Sequence, residues 1–171
     1  MPTRVDYYIS GVADWTDIGT PSDYYGGQSF TASEAYALYS LRIKLLKTGT
    51  EDATVKIYAT SGGLPTGAAL ASKTIATAGI PSSIDWVEFI FDSPPSLSNG
   101  VMYFIEVSSS GADLRFYDDH LTGSYSGGQR WIHPSNADGW SSSYPDDDHS
   151  FETYKSAAGL NPRRTMTGIG M

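Results

Sequence analysis

Two runs of acidic residues, each ending in a histidine, contain the residue types best suited to chemistry in this chain. They are Asp118-Asp119-His120 and Asp146-Asp147-Asp148-His149. Hard cations such as Ca²⁺ take carboxylate oxygens from loops, which makes Asp146, Asp147 and Asp148 candidate calcium ligands. Their spacing does not match the EF-hand loop, and like charges this close together are also typical of an exposed turn. Two interpretations therefore stand, a calcium site and a solvated acidic turn.

The three histidines, His120, His133 and His149, are the candidate general bases. They lie in polar, loop-like sequence, and no Gly-x-Ser-x-Gly motif accompanies them. A Ser-His-Asp site is defined by geometry, so the sequence does not exclude one. Nothing marks a pair of carboxylates placed across a cleft for glycoside hydrolysis. We therefore predict a protein that is not an enzyme, with ordinary loop histidines and no catalytic residues.

Five of the aromatic residues after residue 107, in the loop-rich region, are candidates for a binding surface. They are Tyr117, Tyr125, Trp131, Trp140 and Tyr144. Aromatic rings in loops can stack on sugar rings, which indicates a glycan-binding site. The alternative is that they close the ends of the fold or contact neighbouring subunits, because Trp and Tyr are also enriched at interfaces. Trp86 differs, since it lies inside a predicted strand and is expected to be structural.

The C-terminal segment contains one basic pair, Arg163-Arg164. The pair is too short for a nucleic-acid-binding arm, which is typically a longer Lys/Arg-rich run. The protein has a net charge of −8, so acidic surface on a neighbouring copy is plentiful. We predict that Arg163 and Arg164 belong to an assembly arm that docks on such a surface.

Composition bounds the class of protein. The chain has 171 residues, 40% of them hydrophobic and 18% charged, as expected for one folded domain. It has no cysteine, which excludes disulfides and thiolate metal sites. The net negative charge argues against nucleic-acid partners. No apolar run approaches the ~20 residues that span a bilayer, and the N-terminus lacks the features of a secretory signal. We therefore predict synthesis in the cytoplasm and no membrane partner.

Alternation of apolar and polar residues predicts a sheet at the centre of the chain. Four runs with a period of two lie between Tyr39 and Val107, namely 39–47, 54–60, 86–91 and 101–107. Successive strand side chains point to opposite faces, so Leu41, Ile43 and Leu45 are expected to face the core. Gly- and Pro-containing turns at short, regular spacing separate the runs. The pattern predicts an antiparallel meander within a sandwich or barrel.

Several segments in succession carry a resemblance to a known family. They are Gln28-Ser29-Phe30-Thr31, the strand 41–45, Val55-Lys-Ile-Tyr-Ala-Thr-Ser-Gly-Gly-Leu-Pro-Thr-Gly67, the strand 86–89, and 97–103. Together they resemble the choice-of-anchor type of jelly-roll β-sandwich, which occurs in phage structural proteins and in bacterial surface or secreted proteins. The resemblance covers about residues 28–154 and implies a non-enzymatic display or adhesion module. Exported members have a signal and an anchor that this chain does not show, which favours a virion component.

These observations lead to one set of expectations. The fold is an antiparallel, jelly-roll-like sandwich of about eight strands, with an N-terminal arm over 1–27, a domain over 28–154 and a C-terminal arm over 155–171. The function is that of a virus or phage structural protein, as a capsid decoration, head-fibre or tail subunit. It assembles with itself and with other virion proteins as a symmetric oligomer, through its arms and the edges of its sandwich. The alternative is an extracellular carbohydrate-binding or host-adhesion module. No cofactor is expected beyond the candidate calcium.

Overall fold

A computed structural model gives the structure of the chain and describes residues 1–9, 14–19, 25–109, 111, 114–119, 125–133, 139–141 and 147–157. In chain order the strands of this part are β1 (Thr3–Tyr8), β2 (Asp14–Ile18), β3 (Tyr25–Thr31), β4 (Tyr36–Lys47), β5 (Ala53–Ser61), β6 (Leu64–Ile75), β7 (Asp85–Ile90), β8 (Ser96–Leu97), β9 (Met102–Ser109), β10 (Leu114–Asp118), β11 (Arg130–His133) and β12 (Phe151–Lys155). One 3-10 turn, Thr77–Gly79, interrupts them.

The strands form two antiparallel sheets that pack as a sandwich. The first sheet has the order β1-β12-β4-β10-β2, with β7 and β8 paired to the other side of β4. The second has the order β11-β3-β9-β5-β6. The predicted all-β sandwich is confirmed, with more strands than expected because several are only two to six residues long. No helix in the described part of the chain is long and apolar enough to cross a membrane.

The core lies between the sheets and follows the predicted alternation. Leu41, Ile43 and Leu45 of β4 are fully buried, while Arg42 and Lys44 between them are partly exposed. The other sheet contributes buried residues in the same alternating way: Val55 and Ile57 on β5, and Tyr103, Ile105 and Val107 on β9. β4 and β5 therefore have one face toward the core and one toward solvent, whereas β9 is buried on both faces at Phe104.

The predicted meander is wrong, because the four predicted runs, now β4, β5, β7 and β9, alternate between the two sheets. β4 pairs with β7, with Ile43 opposite Val87. β5 pairs instead with β9, with Ile57 opposite Ile105. A strand with one apolar face buries it by packing across the core, and a local turn signal does not say whether the chain turns back or crosses to the other layer. The β5–β6 connection is a true hairpin, with Ser61 opposite Leu64.

The N-terminal segment also differs from the predicted arm over 1–27. β1 pairs with β12, and β2 pairs with β10, so both strands belong to the first sheet. Residues 5–9 have a strand-like sequence, whereas the polar residues of β2 conceal its strand. Asp6 in β1 is buried, and it accepts hydrogen bonds from the Ser33 amide and the Tyr36 hydroxyl. Lys155 closes β12, and residues 158–171, including Arg163 and Arg164, lie outside the described part of the chain.

Candidate functional site

Arg130 is the centre of a buried polar cluster that connects the two sheets. It begins β11 in the second sheet, and its side chain is only 11% exposed. Nη1 lies 2.5 Å from Asp147 Oδ2, and Nε lies 3.3 Å from Asp118 Oδ2 on β10. Nη2 donates to Thr16 Oγ1 on β2 at 2.7 Å. Both carboxylates are almost completely excluded from solvent, so one guanidinium compensates two buried negative charges.

Asp119 and Asp148 extend this cluster. The Asp148 amide donates to Asp119 Oδ1 at 2.7 Å, and the Tyr8 hydroxyl donates to Asp119 Oδ2. Asp148 accepts from Gln28 Nε2 at 2.9 Å through Oδ1 and from the Tyr125 amide at 3.1 Å through Oδ2. These donors come from β1, β3 and the segment before β11, so the aspartates link elements that are far apart in sequence.

The burial of these carboxyl groups changes their ionisation. Burial raises the pKa of Asp148 to about 7, and the nearby Asp119 and Asp147 act in the same direction, while the bonds from Gln28 and Tyr125 oppose it. Burial also raises the pKa of Asp118, although the positive charge of Arg130 lowers it. Near neutral pH the Asp148 carboxyl therefore takes up a proton readily, which limits the negative charge held inside the protein.

His149 lies beside the cluster and is completely buried. Its ring stacks on Phe116, with centroids 3.7 Å apart, and Nδ1 lies 3.2 Å from the Tyr117 carbonyl. A carbonyl only accepts, so Nδ1 carries the proton. Burial lowers the pKa of His149 well below its usual value, with a further contribution from Arg130. The ring is neutral, and among the described residues no serine hydroxyl bonds to it.

The expected calcium site does not fit the residues that are described. Asp147 faces Arg130, and both oxygens of Asp148 already accept hydrogen bonds from donors. A cation would have to displace these donors and would lie close to the guanidinium. In the described ranges no group of three His, Cys, Asp or Glu residues could hold a metal ion. Asp146 lies outside these ranges, as does His120 of the other acidic run.

The alternative interpretation, a solvated acidic turn, is wrong for the described aspartates. Asp118, Asp119, Asp147 and Asp148 are each at most 3% exposed. The rule that clustered like charges indicate exposure fails here because Arg130 and several hydrogen-bond donors satisfy the carboxylates. Arg130 was not singled out by its sequence, since a lone arginine at the start of a short strand carries no motif.

Three of the predicted aromatic residues pack against other side chains of the protein, with Tyr117 buried and Tyr125 and Trp140 partly buried. The Trp140 ring contacts Phe104 edge-on, with centroids 4.7 Å apart. The Tyr125 ring contacts Phe151 in the same manner at 5.3 Å. Tyr117 on β10 is 8% exposed. Tyr144 lies outside the described residues. The four aromatics that the structure describes therefore have different environments, and Tyr117 is not available on the surface.

Trp131 on β11 differs from these three because it lines a cavity of about 400 Å³. The other lining residues are Ser29, Gly62, Gly63, Met102, Ser126, Gly128 and Gln129. The Trp131 indole N–H donates to Ser29 Oγ at 3.4 Å, and the Gln129 amide donates to the same oxygen at 2.9 Å. Sequence reasoning identified Trp131 alone. The Gly62-Gly63 pair was visible as a turn, but its position over β11 depends on the pairing of β5, β9 and β3.

A second concave surface of about 440 Å³ lies on the outer face of the first sheet. It is lined by Met1, Pro2, Arg42, Trp86, Glu88 and Tyr154. Trp86 is half-buried on this face, and the Arg42 guanidinium lies 5.4 Å from its ring centroid. The strand position of Trp86 was predicted correctly, and its solvent-facing side is set by the register with Lys44.

No protein-family model matches this chain, and no curated protein matches it either. The resemblance to the choice-of-anchor jelly roll therefore stays a prediction. The structure defines the class of the protein as an antiparallel β-sandwich. It contains a buried Arg130–aspartate cluster and a cavity lined by Trp131.

Proposed function

We propose that this protein is a non-enzymatic structural subunit of a virus or phage particle, assembled as a symmetric oligomer. The observation that carries the proposal is the composition of the outer face of the first sheet. Tyr7, Trp15 and Ile90 are 50%, 38% and 43% exposed there. Arginines cover two of these rings: Arg4 lies 3.9 Å from the Tyr7 centroid and Arg115 lies 4.5 Å from that of Trp15. Exposed aromatics with arginine are the composition of a protein interface.

The buried polar cluster supports a structural function. Its ionisable side chains are the ones that catalysis would need at a solvent-accessible site, yet they bond to one another inside the sandwich. Because these side chains stabilise the interior, binding to partners would use the exposed surface of the sandwich. Capsid decoration, head-fibre and tail subunits use β-sandwiches in this way, and fold alone does not select among them.

The strand at one edge of the second sheet makes edge-to-edge pairing less favourable than pairing through the sheet face. β6 is twelve residues long and mostly exposed. Its register shifts between Ile57/Ala71 and Ala59/Thr66, so residues 67–70 bulge away from β5. Bulges of this kind protect an edge strand from adding a further strand. The proposed assembly therefore uses the outer face of the first sheet, together with Arg163 and Arg164 on an acidic neighbour.

The test is the oligomeric state of the full chain by size-exclusion chromatography with light scattering over a range of concentrations. A closed oligomer is expected, and the double variant Trp15→Ser/Ile90→Ser should dissociate it. Trp131→Ser, on the other sheet, is the matched control and should leave it intact. A monomer at every concentration contradicts the assembly proposal. Labelling of intact particles with antibody against the chain, seen by electron microscopy, tests the location in a virion.

A carbohydrate-binding module is the second candidate function. The observation that favours it is the Trp131 cavity, which combines an indole ring with serine and glutamine side chains. A single aromatic ring with a few polar groups is the usual arrangement of small-ligand sites. This function is compatible with a host-recognition protein on a particle or with an extracellular protein.

A further inference from the structure

We propose that the Trp131 cavity binds one uncharged pyranose ring of a glycan, stacked against the indole. This inference rests on the second candidate function and is independent of the assembly through the first sheet. It specifies the site, the ligand class and the groups that recognise it.

The lining of the cavity selects a neutral ligand. All eight lining residues are uncharged, in a protein of net charge −8. An anionic sugar would find no countercharge in this lining, and the overall field of the protein would repel it. The volume of about 400 Å³ lies at the small end of the ~300–1,000 Å³ typical of ligand sites. It suits one or two sugar rings.

The Gly62-Gly63 turn keeps one side of the indole open. A Cβ atom at Gly63 would lie 3.6 Å from Trp131 Cζ2 and 3.8 Å from Met102 Sδ, so a side chain there would contact the six-membered ring of the indole. At Gly62 a Cβ would meet nothing within 4 Å. Both residues have positive φ, 61° and 83°, as a two-residue hairpin turn requires. The turn thus forms a wall without side chains beside an aromatic surface.

Trp131 is held in a fixed orientation. Its N–H donates to Ser29 Oγ, and Ser29 in turn bonds the Gln129 backbone through both its amide and its hydroxyl. Gly128 lies so close to β3 that a Cβ there would be 1.9 Å from the Ser29 carbonyl oxygen. This close contact fixes the segment before β11 on β3. A ligand would therefore meet a ring that is already positioned, which reduces the entropy lost on binding.

Two polar side chains of the lining are available to hydroxyl groups. Among the residues that the structure describes, the side-chain amide of Gln129 and the hydroxyl of Ser126 have no hydrogen-bond partner. An amide supplies two donors and an acceptor, and a hydroxyl supplies both functions. These are the groups that pair with the equatorial hydroxyls of a pyranose whose apolar face lies on an indole. The cavity thus has an aromatic surface and polar groups for the two kinds of sugar surface.

The experiment is saturation-transfer NMR and titration of the full chain with methyl glycosides of glucose, galactose and N-acetylglucosamine, with glucuronate as the charged comparator. We expect at least one neutral glycoside to bind and glucuronate not to bind. Trp131→Ala should weaken the binding at least tenfold, and Gly63→Asn should do the same by filling the cavity. Gly100→Asn is the matched control, because asparagine also tolerates positive φ and Gly100, with φ 73°, lies outside the cavity lining and would place its Cβ in open space. This control should bind as the wild type does.

The outcomes separate the two levels of the proposal. Glycoside binding that survives Trp131→Ala and Gly63→Asn overturns the cavity assignment. If that binding is instead lost in Trp86→Ala, the protein does bind carbohydrate, but on the outer face of the first sheet. Absence of binding to the whole panel overturns both the cavity assignment and the glycan function. Preference for glucuronate overturns the neutral-ligand assignment. Thermal unfolding of Gly100→Asn and Gly63→Asn, compared directly, shows whether a loss of binding reflects the site or the fold.

Discussion

Arg130 and Asp147 form an ion pair of 2.5 Å between Nη1 and Oδ2 in the interior of the protein. The arginine comes from the second sheet, and it also contacts Asp118 and Thr16 of the first sheet. The pair therefore connects the two layers at a point where the core is polar.

Replacement of Arg130 by methionine should strongly destabilise the protein. Asp118 and Asp147 would lose their shared cation while staying buried, and removal of one partner from a buried pair typically costs about 3–5 kcal/mol. Urea unfolding at pH 7 measures this loss. The matched control is Arg115→Met, which breaks an exposed pair with Asp17 and should cost about 1 kcal/mol or less. Equal losses in the two variants would contradict a stabilising function for Arg130.

Asp148 should make the protein less stable as the pH rises. Because its folded pKa is raised from 3.8 to about 7, the folded state binds more protons than the unfolded state in this window. The stabilisation that the raised pKa of Asp148 provides is fully present below about pH 4 and is lost between about pH 4 and pH 7. Over this range the free energy of unfolding falls by at most about 1.4 kcal/mol per pH unit. The free energy of unfolding of wild type relative to Asp148→Asn should fall over this range. A constant difference would contradict the raised pKa.

His149 should have the opposite effect. Its folded pKa lies well below the unfolded value of 6.5, so its contribution is present above pH 6.5 and is lost as the pH falls. Between about pH 4 and 6.5, Asp148 makes the free energy of unfolding of the wild type fall with rising pH, while His149 makes it rise. In Asp148→Asn the loss of stability on acidification should therefore become visible, and in His149→Phe, which keeps a ring beside Phe116, it should be reduced. Acid sensitivity that is unchanged in His149→Phe would exclude this residue as its source.

Gly128→Ala should disrupt the contact between β3 and the segment before β11. Because the new Cβ would clash with the Ser29 carbonyl, the backbone must move, and the loss should reach the upper end of the about 1–3 kcal/mol typical of overpacking. Gly67→Ala is the control: its Cβ would meet nothing within 4 Å, which leaves only the cost of positive φ. Thermal unfolding compares them. A smaller loss for Gly128→Ala than for Gly67→Ala would contradict the structure.

Calcium should not stabilise the protein through Asp147 and Asp148. Their oxygens accept hydrogen bonds from Arg130, Gln28 and the Tyr125 amide, so an ion would have to replace these donors. Melting temperatures in millimolar calcium and in a chelator should agree, with magnesium as the control for ionic strength. A rise specific to calcium that disappears in Asp147→Asn would restore the calcium site.

Part of the candidate cavity could be predicted from the sequence. Trp131 was identified as a glycan or interface residue, and Gly62-Gly63 was identified as a turn. The proximity of Trp131 to Gly62-Gly63 could not be predicted, because it depends on contacts between distant parts of the chain. Met102 of β9 lies between β5 and β3 in the sheet, and the Ser29 hydroxyl donates to the Gln129 carbonyl, 100 positions away in sequence. The cavity exists only through the order β11-β3-β9-β5 of the second sheet.

The sequence by itself determined the strands of the core and the side of each strand that is buried. The reason is local: strand side chains alternate, so Leu41, Ile43 and Leu45 share a face in any fold that keeps them extended. The tertiary structure alone decided that β4 pairs with β7 and that Asp148 is buried. Both outcomes depend on partners distant in the chain, such as Gln28, 120 positions from Asp148. A carboxylate lies inside a protein when such partners satisfy it, and neighbouring residues carry no record of them.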